Sequence, residues 1–346
     1  MKNIKNLTLK ELQAVLEEWG APLFRGRQIF SWLYKKGVSD FGAMTDLADG
    51  LRKRLKDNFC LSGMRLIKRR QSRDSTEKFL FELGDGNNIE AVSIPAEGRV
   101  TGCISTQAGC KFACRFCASA VGGFSRDLSC AEMLDEVLYL KNNSAAGKLS
   151  HLVFMGTGEP LDNYDNVMKA IRIINSKEGL NIGARRITIS TCGLIPAIQR
   201  MAGEGLQVEL SVSLHAADDK IRSWLMPVNK KYPLKELIRA CRDYVKDTNR
   251  QITFEYVLIN GLNADLKSAG KLCALLKGFD CKVNLIPANP IKELHIEPPN
   301  KPDILYFKDY LSRHGLHSTL RKTRGQDIEA ACGQLRIKEG RSLSRS

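Results

Sequence analysis

Apolar and polar positions change rhythm along this chain of 346 residues. Through residues 1–90 the apolar positions recur at helical spacing. Thr8-Leu9-Lys10-Glu11 has the form of a capping box, in which a hydroxyl and a carboxylate satisfy each other's backbone N–H groups. Leu12, Val15, Leu16 and Trp19 follow on one face, and Gly20 closes the helix. A second amphipathic stretch carries Ile29, Trp32 and Leu33 and stops near Gly37, and a third covers 47–59. Residues 1–90 therefore read as a small helical domain.

Beyond residue 96 short apolar runs alternate with helical patterns. Strands are expected at 102–106, 151–155, 186–191, 208–213, 252–258 and 282–286. Helical patterns separate them, one over 131–142 behind a second capping box, Ser129-x-x-Glu132. Parallel strands need crossover connections, so strands alternating with helices imply a parallel sheet with helices outside. Six units fall short of a closed eight-unit barrel. The fold class is α/β, an open partial (β/α)6 barrel over residues 96–327, followed by a C-terminal segment, 328–346, with Cys332 and a basic tail.

Composition narrows the setting. Hydrophobic residues make up 43% and charged residues 26%, the profile of an ordinary globular protein. No apolar run approaches the ~20 residues of a membrane helix. The N-terminus lacks the apolar block of a signal peptide. A cytoplasmic protein with no membrane partner is expected. Eleven cysteines there argue for ligation or catalysis rather than a disulfide framework. Lys and Arg number 53 against 38 acids, a net +15, which points to a polyanionic partner. The densest stretch holds Arg52, Lys53, Arg54, Lys56, Arg65, Lys68, Arg69, Arg70 and Arg73 against Asp57 alone, and suits RNA phosphates.

Chemistry concentrates in Gly-Cys-Lys-Phe-Ala-Cys-Arg-Phe-Cys, where Cys110, Cys114 and Cys117 form a C-x3-C-x2-C set. Cysteine thiolates hold iron–sulfur clusters, and a cubane normally takes four. Three leave one iron open. The alternatives are three packed thiols, or a closed zinc or cluster site with Cys103 as fourth ligand. Other unusual residues fall after expected strands, where such barrels carry their sites. They are Gly156-Thr157-Gly158-Glu159-Pro160, Ser190-Thr191-Cys192-Gly193, Ser213-Leu214-His215-Ala216 and Ile286-Pro287-Ala288-Asn289-Pro290.

The cysteine run resembles that of the radical S-adenosylmethionine (SAM) enzymes, in which SAM chelates the open iron. The ordered series Cys-Ile-Ser-Thr-Gln-Ala-Gly-Cys, Gly-Glu-Pro, Ser-Leu-His-Ala, Met-Pro-Val-Asn-Lys-Lys-Tyr, Ile-Pro-Ala-Asn-Pro and Ala-Ala-Cys-Gly-Gln-Leu resembles the RlmN-type adenine-C2 RNA methyltransferases. It spans roughly residues 90–335, and the helical N-terminal segment fits that family too.

The resemblance implies methylation of C2 of an adenosine in 23S ribosomal RNA and of the adenosine 3′ of the anticodon in tRNAs. It implies one [4Fe–4S] cluster held by Cys110, Cys114 and Cys117, with two SAM per turnover. One SAM methylates Cys332, the second is cleaved on the open iron, and a Cys103–Cys332 disulfide releases the product. It carries over Gly158, Glu159, Ser190, Ser213, Leu214 (by its backbone), His215 and Asn289 as the SAM pocket and Glu90 as a proton acceptor. An electron donor such as flavodoxin or ferredoxin is implied, and a monomer is the default. Cys60, Cys130, Cys192, Cys241, Cys273 and Cys281 match no ligand position and read as packing residues. Thr157 stands where the family pattern has methionine. The alternatives are a Cfr-type adenine-C8 methyltransferase, and a non-catalytic cluster- or zinc-bearing RNA-binding module with no use for Cys332.

Overall fold

The computed structural model describes residues 1–61, 63–120, 122–145, 147–289, 296–321 and 324–328. At the N-terminus, helix α1 (Leu9–Glu18) has both halves of its capping box: Thr8 N–H donates to Glu11 at 2.6 Å and Glu11 N–H to Thr8 Oγ1 at 3.2 Å. Helix α2 (Phe24–Phe30) continues as a π-turn over Ser31–Lys36, which Gly37 ends in the left-handed region. Helix α3 (Asp49–Asn58) completes the helical part. The short 3-10 turn before α1, Ile4–Asn6, packs on helix α4 (Cys130–Asn143) through a buried Lys5–Asp135 ion pair and a 2.9 Å bond from Ala131 N–H to Asn6.

Residues 65–96 correct the helical expectation. They form strands β1 (Arg65–Gln71), β2 (Glu77–Glu82) and β3 (Asn88–Ala96), which with β4 (Arg99–Cys103) make antiparallel neighbours. The period-2 signal is hidden because β2 is buried on both faces. Phe79 and Phe81 pack edge-on against Tyr139 of α4, while Lys78 and Leu80 are buried on the other side. The β2–β3 reversal uses Asp85-Gly86, with Gly86 at φ 80° and its N–H bonded to Leu83 O at 2.9 Å. The basic stretch is thus divided between α3 and the edge strand β1.

From β4 onward the pairings of the main sheet are parallel: β5 (Leu149–Phe154), β6 (Ile187–Thr191), β7 (Glu209–Ser213), β8 (Ile252–Leu258), β9 (Cys281–Pro287) and β10 (Ser318–Leu320). The ten strands lie side by side in chain order. Crossovers are supplied by α4, α5 (Tyr164–Asn175), α6 (Ile195–Ala202), α7 (Asp219–Leu225) with α8 (Leu234–Thr248), α9 (Leu266–Leu276) and α10 (Lys301–Arg313). All six expected strands are present. The first is displaced towards the N-terminus because Thr106 and Gln107 N–H both donate to Thr157 O, at 2.8 and 3.1 Å, instead of continuing the ladder. Strand β10, three residues long, carries too little pattern to read.

The two faces of the parallel part differ chemically. Ile187, Ile189, Leu210, Val212, Phe254 and Val283 are buried against the helices. By register the opposite, concave face carries Cys103, Ser190, Ser211, Ser213, Glu255 and Asn284. A polar interior in an open barrel suits a polar ligand.

Candidate active site

The cysteine loop grows from a short antiparallel pair, Gln107–Gly109 with Phe124–Asp127. Gly109 has φ 87°, and a Cβ there would lie 1.9 Å from Gly123 O, so a side chain cannot be accommodated. Cys110 N–H donates to that same carbonyl at 2.9 Å. Further along, Arg115 N–H bonds Leu225 O at 2.9 Å and Cys117 N–H bonds Cys114 O at 3.1 Å. Phe112, Cys114 and Phe116 pack against a small core containing Leu225, Met226, Val257 and Ala288. Burial pushes the Cys114 thiol well up, and the neighbouring Cys117 and Cys110 add to it.

That donor set fits an iron–sulfur cluster. Among the described residues no three His, Cys, Asp or Glu side chains converge on a single ion. Cubane ligands each bind a different iron, so their sulfurs stand further apart than around one metal. Cys103 is on β4 in the main sheet, not on the loop.

The expected SAM-pocket residues lie together at the C-terminal ends of the parallel strands. Gly158 (φ 107°) brings its turn so close to β4's continuation that a Cβ would meet Gln107 Cβ at 2.5 Å. Thr157 is buried with its backbone bonded to Ser105–Gln107, and its hydroxyl has no hydrogen-bond partner among the described residues. Glu159 is buried and turned inward: Oε2 accepts from Cys192 N–H at 2.7 Å and Oε1 from Leu161 N–H at 3.1 Å. Burial raises its pKa, against the Cys192 hydrogen bond. Its carboxylate therefore ties its own turn to the turn after β6. Ser190 is paired with Ser211 across β6 and β7, and Ser213 with Glu255 across β7 and β8. His215, at φ 57°, accepts at Nδ1 from Val257 N–H at 3.0 Å, and its ring lies edge-on to Phe116 at 4.5 Å. Burial pulls its pKa down to about 3, so the ring is neutral. Asn289 follows β9, where Ala288 N–H pairs with Leu258 O.

Cys103 ends β4 on the concave face, opposite Val92 of β3. Glu90, two residues along β3, shares that face, buried and ion-paired with Lys78 at 3.3 Å. Its backbone carbonyl accepts from Ser105 Oγ at 2.7 Å. Cys332 and Pro290 lie outside the described residues.

Residues 104–272 match the radical SAM superfamily, and residues 2–61 match the ribosomal RNA large subunit methyltransferase N-terminal domain. The probable dual-specificity RNA methyltransferase RlmN of Caldanaerobacter subterraneus subsp. tengcongensis is 48% identical over 98% of this chain and 100% of its own. Its namesake from Staphylococcus aureus is 45% identical over 98% and 93%. A radical SAM methyltransferase from Sphaerobacter thermophilus, solved by crystallography, superposes with a TM-score of 0.93 at 44% identity, covering 96% of this chain and 99% of that one. The chain belongs to the RlmN family of radical SAM RNA methyltransferases. Superfamily membership implies a [4Fe–4S] cluster and SAM as cofactors.

One buried residue beside the expected pocket was invisible in the sequence. Arg222 is fully buried, and its guanidinium donates to Leu214 O (3.1 Å), Asn229 Oδ1 (2.7 Å), Cys192 O (2.9 Å) and Ser213 O (3.0 Å). It ties the ends of β6 and β7 to the Met-Pro-Val-Asn segment, fixing the backbone around Ser213–His215. Burial lowers its pKa to about 10, so it stays charged. The signal was Asn229, within a quoted motif and seven residues from Arg222 (one helix and a turn), but a lone arginine gives no hint of burial.

Proposed function

We propose that the enzyme methylates C2 of an adenosine in 23S ribosomal RNA and of the adenosine 3′ of the anticodon in tRNAs, using Cys332 as methyl carrier and Cys103 as resolving thiol. The observation that carries this reading is the placement of Cys103: a thiol on the polar concave face, apart from the cysteine loop, in a chain with a second cysteine left over at residue 332.

Adenine C2 is electron-poor and cannot attack the sulfonium methyl of SAM, so direct transfer is closed to it. Cys110, Cys114 and Cys117 would hold the cluster, with SAM lying against Gly158, Glu159, Ser190, Ser213, Leu214, His215 and Asn289. When bound, the cluster supplies the electron that makes SAM a source of a hydrogen-abstracting radical. The chain's own part is to hold the S-methyl group of Cys332 where it can lose hydrogen and bond to C2. Glu90 or Cys103 would accept the C2 proton, and the Cys103 thiolate would attack the Cys332 sulfur, breaking its bond to the methylene carbon; that carbon takes up a proton to become the methyl group, and the one surplus electron would pass to the bound cluster. The disulfide so formed frees the product. Two SAM are used per turnover, and reduction of the disulfide by a small electron carrier such as flavodoxin or ferredoxin resets a monomeric, cytoplasmic enzyme.

The test uses anaerobically reconstituted protein, SAM, reductant and unmodified ribosomal RNA and tRNA, followed by nucleoside mass spectrometry. The expected product is 2-methyladenosine in both RNAs, absent with Cys332→Ala. 8-Methyladenosine would overturn the C2 assignment, and full activity of Cys332→Ala would overturn the carrier.

A further inference from the structure

Strands β3 and β4 run as antiparallel neighbours as far as Val92 and Cys103, and there the ladder stops. Carried one rung further, the same register sets Glu90 opposite Ser105. Ile104 bonds to the β5 side, its N–H to Val153 O at 3.1 Å and its carbonyl from Gly156 N–H at 2.9 Å. The N–H of the next residue, Ser105, therefore faces β3, where a ladder bond to Glu90 would form. It meets a side chain instead. Glu136 of α4 reaches in, and its Oε2 accepts from Ser105 N–H at 3.1 Å. The Ser105 hydroxyl takes over the missing rung: it donates to Glu90 O at 2.7 Å and accepts from Thr157 N–H at 2.9 Å. One serine thus joins β3, α4 and the turn that leads into Gly158 and Glu159.

A carboxyl group is a costly way to fill that place. Glu136 is fully buried, and its Oε1 has no hydrogen-bond partner among the described residues. Its neighbours on α4 have cations, Glu132 in Arg126 and Asp135 in Lys5, but among the described residues no cation pairs with Glu136. Burial pushes its pKa well up, and the Glu132 and Asp135 carboxylates add to it against the Ser105 N–H, so the side chain is a neutral acid. A backbone rung would satisfy Ser105 without burying an acid. What the acid adds is an end to the pairing: β3 and β4 part at the rung of Glu90, two residues past Cys103, and both of those side chains stand on the concave face. Gly102, which faces the opposite way from Cys103, lies against Leu140 of α4. Glu136 therefore belongs to the helix-covered side and reaches that pair through Ser105.

We propose that Glu136 is a positioning residue for methylation: by ending the β3–β4 pairing at Ser105, it sets where Glu90 and Cys103 stand relative to each other and to the Gly158–Glu159 turn. The proposal rests on the reading of Cys103 and Glu90 as the proton-accepting and resolving groups of the reaction. Reacting groups must be held closely, and a displacement of about 1 Å can cost on the order of a hundredfold in rate.

The experiment compares full-length, cluster-loaded Glu136→Gln, Glu136→Leu and Ser105→Ala with the parent. Glutamine keeps a neutral acceptor for the Ser105 N–H, whereas leucine fills the space without one. Two readouts are taken: 5′-deoxyadenosine formed per methyl group transferred to RNA, and deuterium exchange of peptides covering 88–106. Glu136→Leu should raise the ratio at least about tenfold and speed exchange, with cluster iron at the parent level. Glu136→Gln should match the parent in both. Ser105→Ala leaves Glu136 in place but cuts the links to Glu90 and Thr157; it should raise the ratio as well, and it decides the matter if Glu136→Leu folds poorly. A parent-like ratio in Glu136→Leu and Ser105→Ala, even with faster exchange, overturns the positioning role, as does a Glu136→Gln variant as uncoupled as Glu136→Leu. Failure of the underlying reading looks different: Cys103→Ala and Glu90→Gln would then methylate RNA at the parent ratio, whatever the Glu136 variants do.

Discussion

At the scale of single residues, the active site is assembled from side chains that serve the backbone as much as any ligand. Glu159 and Arg222 are both buried, and each spends its polar atoms on loop amides or carbonyls at the strand ends. The motif glycines and the three loop cysteines stand out in the sequence because their pattern is local: a C-x3-C-x2-C spacing is read without the fold. The inward turn of the Glu159 carboxylate was not, since its partners Leu161 and Cys192 are set by how two βα turns meet. His215 offers a pH test. Its pKa is about 3 in the fold against about 6.5 unfolded, so the neutral form stabilises fully above pH 6.5 and that contribution is lost as pH falls towards 3. In urea titrations the stability gap between parent and His215→Asn should shrink by about 2.5 kcal/mol from pH 7.5 to 4.5. A constant gap would mean that the ring is charged in the native state.

At the scale of elements, legibility followed burial symmetry. The parallel strands were readable as short apolar runs between helical patterns, and the two capping boxes gave helix starts to within a residue. Strands β2 and β3 were missed because they are buried on both faces, β2 under Tyr139 and the Lys78–Glu90 pair, and β1 because it is mostly exposed and basic, which leaves no apolar alternation. The Asp85-Gly86 turn was the available clue. The cysteine loop depends on a backbone approach that one atom would destroy. Gly109→Ala should fold with the parent's far-ultraviolet circular dichroism yet retain less than about a tenth of the cluster iron, because the added Cβ meets Gly123 O. Full iron loading of that variant would show that the loop base can open without cost to ligation.

At the scale of the whole molecule, a helical N-terminal part, a curled ten-strand sheet and a basic surface combine into an RNA-modifying machine. Among the described residues no helix is long and apolar enough to cross a membrane. The net charge was legible from composition, but its division between α3 and the edge strand β1 needed the fold. Lys53 and Lys56 are exposed on α3. Replacing both with Ala should weaken RNA binding in filter or fluorescence titrations and reduce the salt slope, log K against log salt, by about 1.4. An unchanged slope would move the RNA footprint off α3. The central claim is that Cys332 carries the methyl carbon to RNA and Cys103 lets it go. The most direct measurement incubates cluster-loaded Cys103→Ala enzyme with SAM, reductant and substrate RNA, then separates the mixture on a denaturing gel. The account predicts a covalent protein–RNA adduct, located at Cys332 by mass spectrometry, with no methylated RNA released. Free methylated RNA at the parent rate, with no adduct, would contradict it.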